Sequence, residues 1–185
     1  MPQYVAFLRG INVGGHRVKM DRLRSLFEEL DLTDVSTFIA SGNVLFSAES
    51  DDVSTLTDRI ERHLAQELGY EVATFLRSPA QLAAIAAPSP TEAEVEGRST
   101  FSHYVIFLRG PAPESLRVEL TGLESDLDEF QFSGAEIHWR IKGKLTESPL
   151  FGGTLDRLTR AIPTTSRNMN TLRRLVAKAR PPETT

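Results

Sequence analysis

Residues 8–19, near the amino end of the chain, hold the residue types best suited to a ligand site. This stretch, LRGINVGGHRVK, contains three glycines, an asparagine, a histidine and three basic residues. Backbone N–H groups of a glycine-rich loop before a helix favour anions, and basic side chains strengthen that preference. The stretch therefore predicts a site for a small anionic ligand that bears a phosphate or a carboxylate. Its histidine, His16, is the first candidate for a general base if a reaction occurs.

The glycine spacing is close to two phosphate-binding motifs but matches neither. Gly10 and Gly15 have the separation found in a P-loop, but His16 and Arg17 stand where that motif needs a lysine and a serine or threonine. The dinucleotide-binding pattern fails because Asn12 stands at its second glycine. A looser anion cradle is left open. The structural alternative is a tight loop in which glycines supply positive φ and Asn12 bonds to nearby backbone.

A second polar segment is expected to lie beside this loop. Ser41, Gly42 and Asn43 separate two segments that are rich in β-branched and aromatic residues, which predicts a hairpin turn. In a βαββαβ sheet the third strand runs antiparallel to the first and next to it. The turn and the glycine-rich loop should therefore share one rim of the sheet.

A third segment, TSRN at residues 165–168, is typical of a helix start with Thr165 or Ser166 as the N-cap. We expect Arg167 to be a surface residue that joins the same site as a guanidinium fork, so that its replacement by alanine costs little stability. The predicted ligand-binding residues are Arg9, Gly10, Asn12, Gly14, Gly15, His16, Lys19, Ser41, Gly42, Asn43, Arg167 and Asn168.

The elements that position these residues follow from hydrophobic periodicity. Short apolar strands are predicted at 4–9, 35–40, 44–47 and 71–76, and amphipathic helices at 20–30 and 53–68. The resulting order, βαββαβ, is the ferredoxin-like pattern.

The chain then repeats itself. The heptapeptide that begins at Tyr104, YVIFLRG, matches the one that begins at Tyr4 at six of seven positions. We predict an α/β (α+β) protein made of two ferredoxin-like units in tandem, at 1–87 and 101–185, with a linker at 88–100. The second unit is predicted to be degenerate, with helical spacing to Leu127, a strand at 135–141 and a basic C-terminal helix.

Three motifs together resemble a known family. LRGINVGG, SGNV and TSRN are similar to motifs of the bacterial family called domain of unknown function 1697, and the resemblance spans most of the chain. It implies an α/β fold of ferredoxin-like halves and implies no activity. Members of that family often carry an aromatic residue after the Arg-Asn pair, where this chain has Met169, so the resemblance implies no stacking role there.

Composition excludes several classes of site. The 185 residues include no cysteine, which removes disulfides and thiolate metal sites, and the four histidines show no ligand spacing. We therefore expect no metal and no cofactor. The amino end lacks the pattern of a signal peptide, and no run of 18 apolar residues occurs, so we expect a cytoplasmic protein without a membrane partner.

The charge pattern favours a local anion site over general nucleic-acid binding. The net charge is −4, although residues 157–180 carry seven basic side chains and no acidic one. A nucleic-acid-binding module is the main alternative, but the aromatic pair typical of RNA-binding ferredoxin-like sheets is absent. A module for protein interaction or dimerisation is a further alternative. The sequence leaves the ligand, any reaction and the oligomeric state open.

Overall fold

The structure, a computed structural model, describes residues 1–49, 52–88 and 101–179. It divides into two compact units, one formed by residues 1–84 with 174–179 and the other by residues 85–173. Residues 174–179 thus group with the first unit, whereas the sequence assigned them to the second. Apart from residue 88, the predicted linker lies outside the described residues.

The first unit is a four-stranded antiparallel sheet with helices in the order that the sequence predicts. Its elements are β1 (Gln3–Leu8), α1 (Met20–Glu28), β2 (Thr33–Phe38), β3 (Asn43–Ser47), α2 (Val53–Leu68), β4 (Thr74–Arg77) and α3 (Pro79–Ile85). The strand order is β2-β3-β1-β4, so β1 lies between the third and fourth strands. This is the ferredoxin-like topology.

The core of this unit lies between one face of the sheet and helices α1 and α2. Both helices bury the apolar residues that recur at three- and four-residue steps, among them Leu23, Phe27 and Ile60. Asp52 caps α2 by accepting hydrogen bonds from the N–H groups at its start, and Gly69 ends the helix in the left-handed conformation. These local signals fix the two ends of α2, and hence the position of Tyr70, which follows Gly69.

The second unit repeats this topology. Its elements are β5 (Phe101–Phe107), α4 (Glu114–Thr121), β6 (Asp128–Ser133), β7 (Glu136–Lys142), a 3₁₀ turn (Leu145–Glu147), α5 (Thr154–Leu158) and β8 (Thr165–Asn168), and helix α6 (Met169–Lys178) begins in it. The strand order is β6-β7-β5-β8, and all neighbours are antiparallel. The predicted tandem of two ferredoxin-like units is confirmed. The second is degenerate mainly in α5, which has 5 residues where α2 has 16.

The repeated heptapeptides form equivalent central strands. β1 lies between β3 and β4, and β5 lies between β7 and β8. Each strand ends with the same bond: the Leu8 N–H donates to Gly42 O, and the Leu108 N–H donates to Ala135 O, both at 2.8 Å. The repeated heptapeptide therefore forms an inner strand of each of the two sheets.

Two predicted elements of the second unit are wrong. The helix predicted to reach Leu127 ends at Thr121, and strand β6, which starts at the buried Asp128, follows it. Residues 165–168 form strand β8 and not a helix start, because they pair with β5. The following helix α6 is capped instead by Asn168, whose Oδ1 accepts from the Asn170 N–H at 2.9 Å.

Candidate functional site

The glycine-rich loop of the first unit is anchored at both ends and exposed in its middle. The Arg9 N–H donates to Ala73 O at 2.9 Å, which aligns the end of β1 with the chain that enters β4. Ile11 and Val18 are buried, whereas residues 13–17 are exposed. Gly10, Asn12, Gly14 and Gly15 all have positive φ, as a loop folded back on itself requires.

Asn12 joins this loop to the turn between β2 and β3. Its Oδ1 accepts from the Val18 N–H at 2.8 Å, and its Nδ2 donates to Ala40 O at 2.9 Å. Gly42 lies so close to the loop that an added Cβ would stand 2.9 Å from the Cβ of Ile11. The loop and the turn therefore share one rim of the sheet, as the strand order predicts.

The two asparagines of this rim build it. Asn43 is fully buried, and its Nδ2 donates to Phe38 O at 3.0 Å and to Ser41 Oγ at 2.9 Å. The amide of Asn12 is engaged at both ends. Both side chains thus stabilise the rim through the protein's own hydrogen bonds. Ile39, at the start of the turn, has a φ of 50°, which is strained for a β-branched residue.

Three cations of the rim have no acidic partner within the described residues. Arg9, Arg17 and Lys19 make no salt bridge there, and Arg17 and Lys19 are exposed. By contrast, Arg22, at the start of α1, contacts carboxylates of Glu29 and Glu67 at 2.6 Å each. The loop therefore carries uncompensated positive charge, while the arginine that follows it is neutralised by neighbouring acids.

His16 stacks on an aromatic ring that the sequence analysis did not single out. Its ring centroid lies 3.9 Å from that of Tyr70, at an interplanar angle of 28°. The Tyr70 hydroxyl is buried without a hydrogen-bond partner among the described residues, and burial raises the pKa of this phenol. The signal was available: Tyr70 follows the glycine that ends α2, and the chain then enters β4, whose start lies beside the end of β1.

Arg167 and Asn168 belong to the second unit, so a joint site with Asn43 stays a prediction. Arg167 pairs with Val105 in the sheet and is only 8% exposed, which makes the expectation of a surface arginine wrong. Its Nη1 donates to Thr165 Oγ1 and to Ser166 O, both at 2.8 Å. Burial lowers the pKa of Arg167 to about 10. Its replacement by alanine should therefore cost stability.

The other histidines have their own partners. In the second unit, His103 Nε2 and His138 Nδ1 lie 3.0 Å apart across β5 and β7, an arrangement that the sequence analysis missed. His63 contacts Glu29 at 3.0 Å. Within the described ranges, no group of three or more histidine, cysteine, aspartate or glutamate side chains is placed to hold a metal ion.

A concave pocket of the first unit is lined by residues other than those of the glycine-rich loop. It has a volume of about 320 Å³ and is bordered by residues such as Asp34, Ser47 and Lys178, and its lining includes no residue of 9–19 or 39–43. The candidate site on the rim is thus defined by its basic side chains without an acidic partner in the described structure and by the stacked rings of His16 and Tyr70, and not by this pocket. Among the helices that the structure describes, none is long and apolar enough to cross a membrane.

Fold and site together define a tandem ferredoxin-like α/β protein with a cationic, glycine-rich loop on its first sheet. The family model described as "Protein of unknown function (DUF1697)" matches residues 1–138, and the chain belongs to this family. The fold is similar to that of the conserved bacterial protein SP0830 from Streptococcus pneumoniae. The two chains are 22% identical, with a TM-score of 0.80 over 97% of this chain and 98% of that chain. A comparison with curated proteins gave no match.

Proposed function

We propose that the protein binds a small anionic ligand, which bears a phosphate or a carboxylate, at the rim formed by the loop 10–19 of its first unit and the adjoining Arg9. The observation that carries this proposal is the set of three cations without an acidic partner within the described residues, Arg9, Arg17 and Lys19. Cations without an acidic partner attract anions. Arg22 on α1 differs from them, because Glu29 and Glu67 neutralise its charge.

Backbone donors add to the side chains. The side chain of Lys19, the N-cap residue of α1, makes no capping hydrogen bond, so the N–H groups of the first helical turn receive no cap from that residue. Gly14 and Gly15 leave the approach to the loop open, because nothing lies within 4 Å of an added Cβ at either. An anion bound here would accept hydrogen bonds from backbone N–H groups and make ionic contacts with basic side chains.

The proposal concerns binding. A histidine that acts as a general base is often oriented by a carboxylate. The ring of His16 makes no hydrogen bond to a carboxylate within the described residues. Catalysis by His16, the joint site with Arg167 and the cytoplasmic location stay predictions of the sequence.

Calorimetric titration with inorganic phosphate and with acetate tests the proposal. Binding should weaken about tenfold or more in the double variant Arg17→Ala/Lys19→Ala and should fall as salt is added. Arg62→Ala is the matched control, since Arg62 is an exposed cation on α2 without a salt bridge in the described structure. Equal weakening in the control, or no binding of either anion at millimolar concentration, would contradict the proposal. Tight, salt-sensitive binding of mixed oligonucleotides would favour the nucleic-acid alternative.

A further inference from the structure

We infer that the ligand of this loop carries an aromatic ring joined to its anionic group, as a nucleoside monophosphate does, and that this ring stacks on His16. The inference rests on the proposed anion site and specifies the class of ligand that this site takes. It starts from the ring pair of His16 and Tyr70, whose centroids lie 3.9 Å apart.

The ring of His16 is held in place on one side. The His16 N–H donates to Val13 O at 3.2 Å, which fixes the backbone, and Tyr70 covers one face of the imidazole. His16 is exposed, and the described residues place no second ring against it. An exposed imidazole with Tyr70 on one face can take a planar ligand on the other, and stacking on an aromatic ring tolerates any base because every base has a π-face.

Tyr70 is positioned as a ring and not through its hydroxyl. Gly69, with a φ of 77°, ends α2 by donating to Ala65 O at 3.0 Å, and Tyr70 then packs against the core of the first unit. A buried hydroxyl without a hydrogen bond costs free energy. The hydroxyl therefore does not account for a tyrosine at position 70, whereas the contact of its aromatic face with His16 does.

Apolar side chains on the same rim also fit a ligand with a ring. Val13 is 59% exposed and Ile39 is 41% exposed. Both belong to the rim that the Asn12–Ala40 hydrogen bond joins, since Val13 follows Asn12 and Ile39 precedes Ala40. An inorganic anion would use only the adjacent cations Arg17 and Lys19. A nucleoside monophosphate would use the cations with its phosphate, and the imidazole and apolar side chains with its base.

Calorimetry with AMP, inorganic phosphate and adenosine tests the inference. AMP should bind roughly tenfold more tightly than phosphate, because stacking adds to the ionic contacts, and adenosine should bind weakly. His16→Ala should reduce the affinity for AMP to about that for phosphate. His16→Phe keeps a flat ring and should stay within about threefold of the wild type. Arg62→Ala should leave the AMP affinity unchanged.

The outcomes separate the two proposals. If phosphate binds but AMP binds no more tightly, or if His16→Phe loses as much affinity as His16→Ala, the stacking inference is wrong and the anion site stands. If neither phosphate nor AMP binds, both proposals fail. If an adenine oligonucleotide binds more than about tenfold more tightly than AMP, the loop recognises a nucleic-acid strand and not a mononucleotide.

Discussion

The side-chain amide of Asn12 donates a 2.9 Å hydrogen bond to the carbonyl of Ala40, which lies 28 positions further along the chain. The oxygen of the same amide accepts from the Val18 N–H at 2.8 Å. One side chain thus closes the glycine-rich loop on itself and ties it to the β2–β3 turn. The cations and the imidazole of the loop are held on one rim by this contact.

Replacing Asn12 by alanine should destabilise the first unit by about 1–2 kcal/mol, because the partly buried Val18 N–H and the exposed Ala40 carbonyl lose their hydrogen bonds. The Val18 amide should then exchange its hydrogen faster, which NMR-detected hydrogen exchange can measure. Asn12→Asp is the matched variant: it keeps an acceptor for Val18 and loses the donor to Ala40. Unchanged protection of the Val18 amide in the alanine variant would show that Asn12 does not hold the loop.

Gly42→Ala should cost clearly more stability than Gly14→Ala. Both glycines have positive φ, but an added Cβ at Gly42 would stand 2.9 Å from the Cβ of Ile11 and 3.1 Å from that of Leu8, whereas nothing lies within 4 Å at Gly14. Gly14→Ala should therefore cost about 1 kcal/mol from backbone strain alone, and Gly42→Ala roughly 2–4 kcal/mol from strain and overpacking. Urea unfolding of both variants measures the difference, and equal losses would contradict the close packing at Gly42.

Most of the first unit could be predicted because its signals are local. Apolar residues at helical spacing identify α1, and the capping residues Asp52 and Gly69 bound α2. The repeat that begins at Tyr104 predicted the second unit, because a strand that packs in one sheet packs in its copy. The shared rim followed from strand order alone.

The missed features depend on partners that are distant in sequence. Strand β6 buries Asp128 where an apolar residue is expected, and the carboxylate is tolerated because side chains such as Trp139 and Ser148 donate to it. Arg167 carries a charge, which predicts a surface position, yet the pairing of β8 with β5 buries it. The stacking of His16 on Tyr70 requires the end of α2 to lie beside the loop, which follows from the strand order and not from any local pattern.

Asp128→Ala should destabilise the second unit by roughly 3 kcal/mol or more. The buried carboxylate accepts from Trp139 Nε1 and from Ser148 Oγ, both at 2.7 Å, so its loss leaves two buried donors unpaired. Glu129→Ala is the matched control, since the neighbouring Glu129 is exposed and its contact with Arg140 is long, at 3.7 Å. Trp139 is the only tryptophan of the chain, so its fluorescence in urea reports this unit. Equal midpoints for the two variants would show that the buried network does not stabilise β6.

Glu29→Gln should weaken the first unit near neutral pH and make little difference in acid. The hydrogen bond from Arg22 is the largest influence and lowers the pKa of the Glu29 carboxyl below its ordinary value of 4.5, while His63 contributes less. A carboxyl whose pKa is lowered by folding stabilises the folded state above the unfolded pKa, and this contribution is lost as pH falls through the folded value. The difference in urea midpoint between wild type and Glu29→Gln should therefore be present at about pH 7 and shrink by about pH 3.

The same experiment in an Arg22→Met background should show a smaller pH dependence, because the main cause of the lowered pKa is gone. Added salt should also reduce the difference at about pH 7, since these side chains are exposed. A difference between wild type and Glu29→Gln that is equal at both pH values, or larger in acid, would show that the contact between Arg22 and Glu29 does not stabilise the first unit.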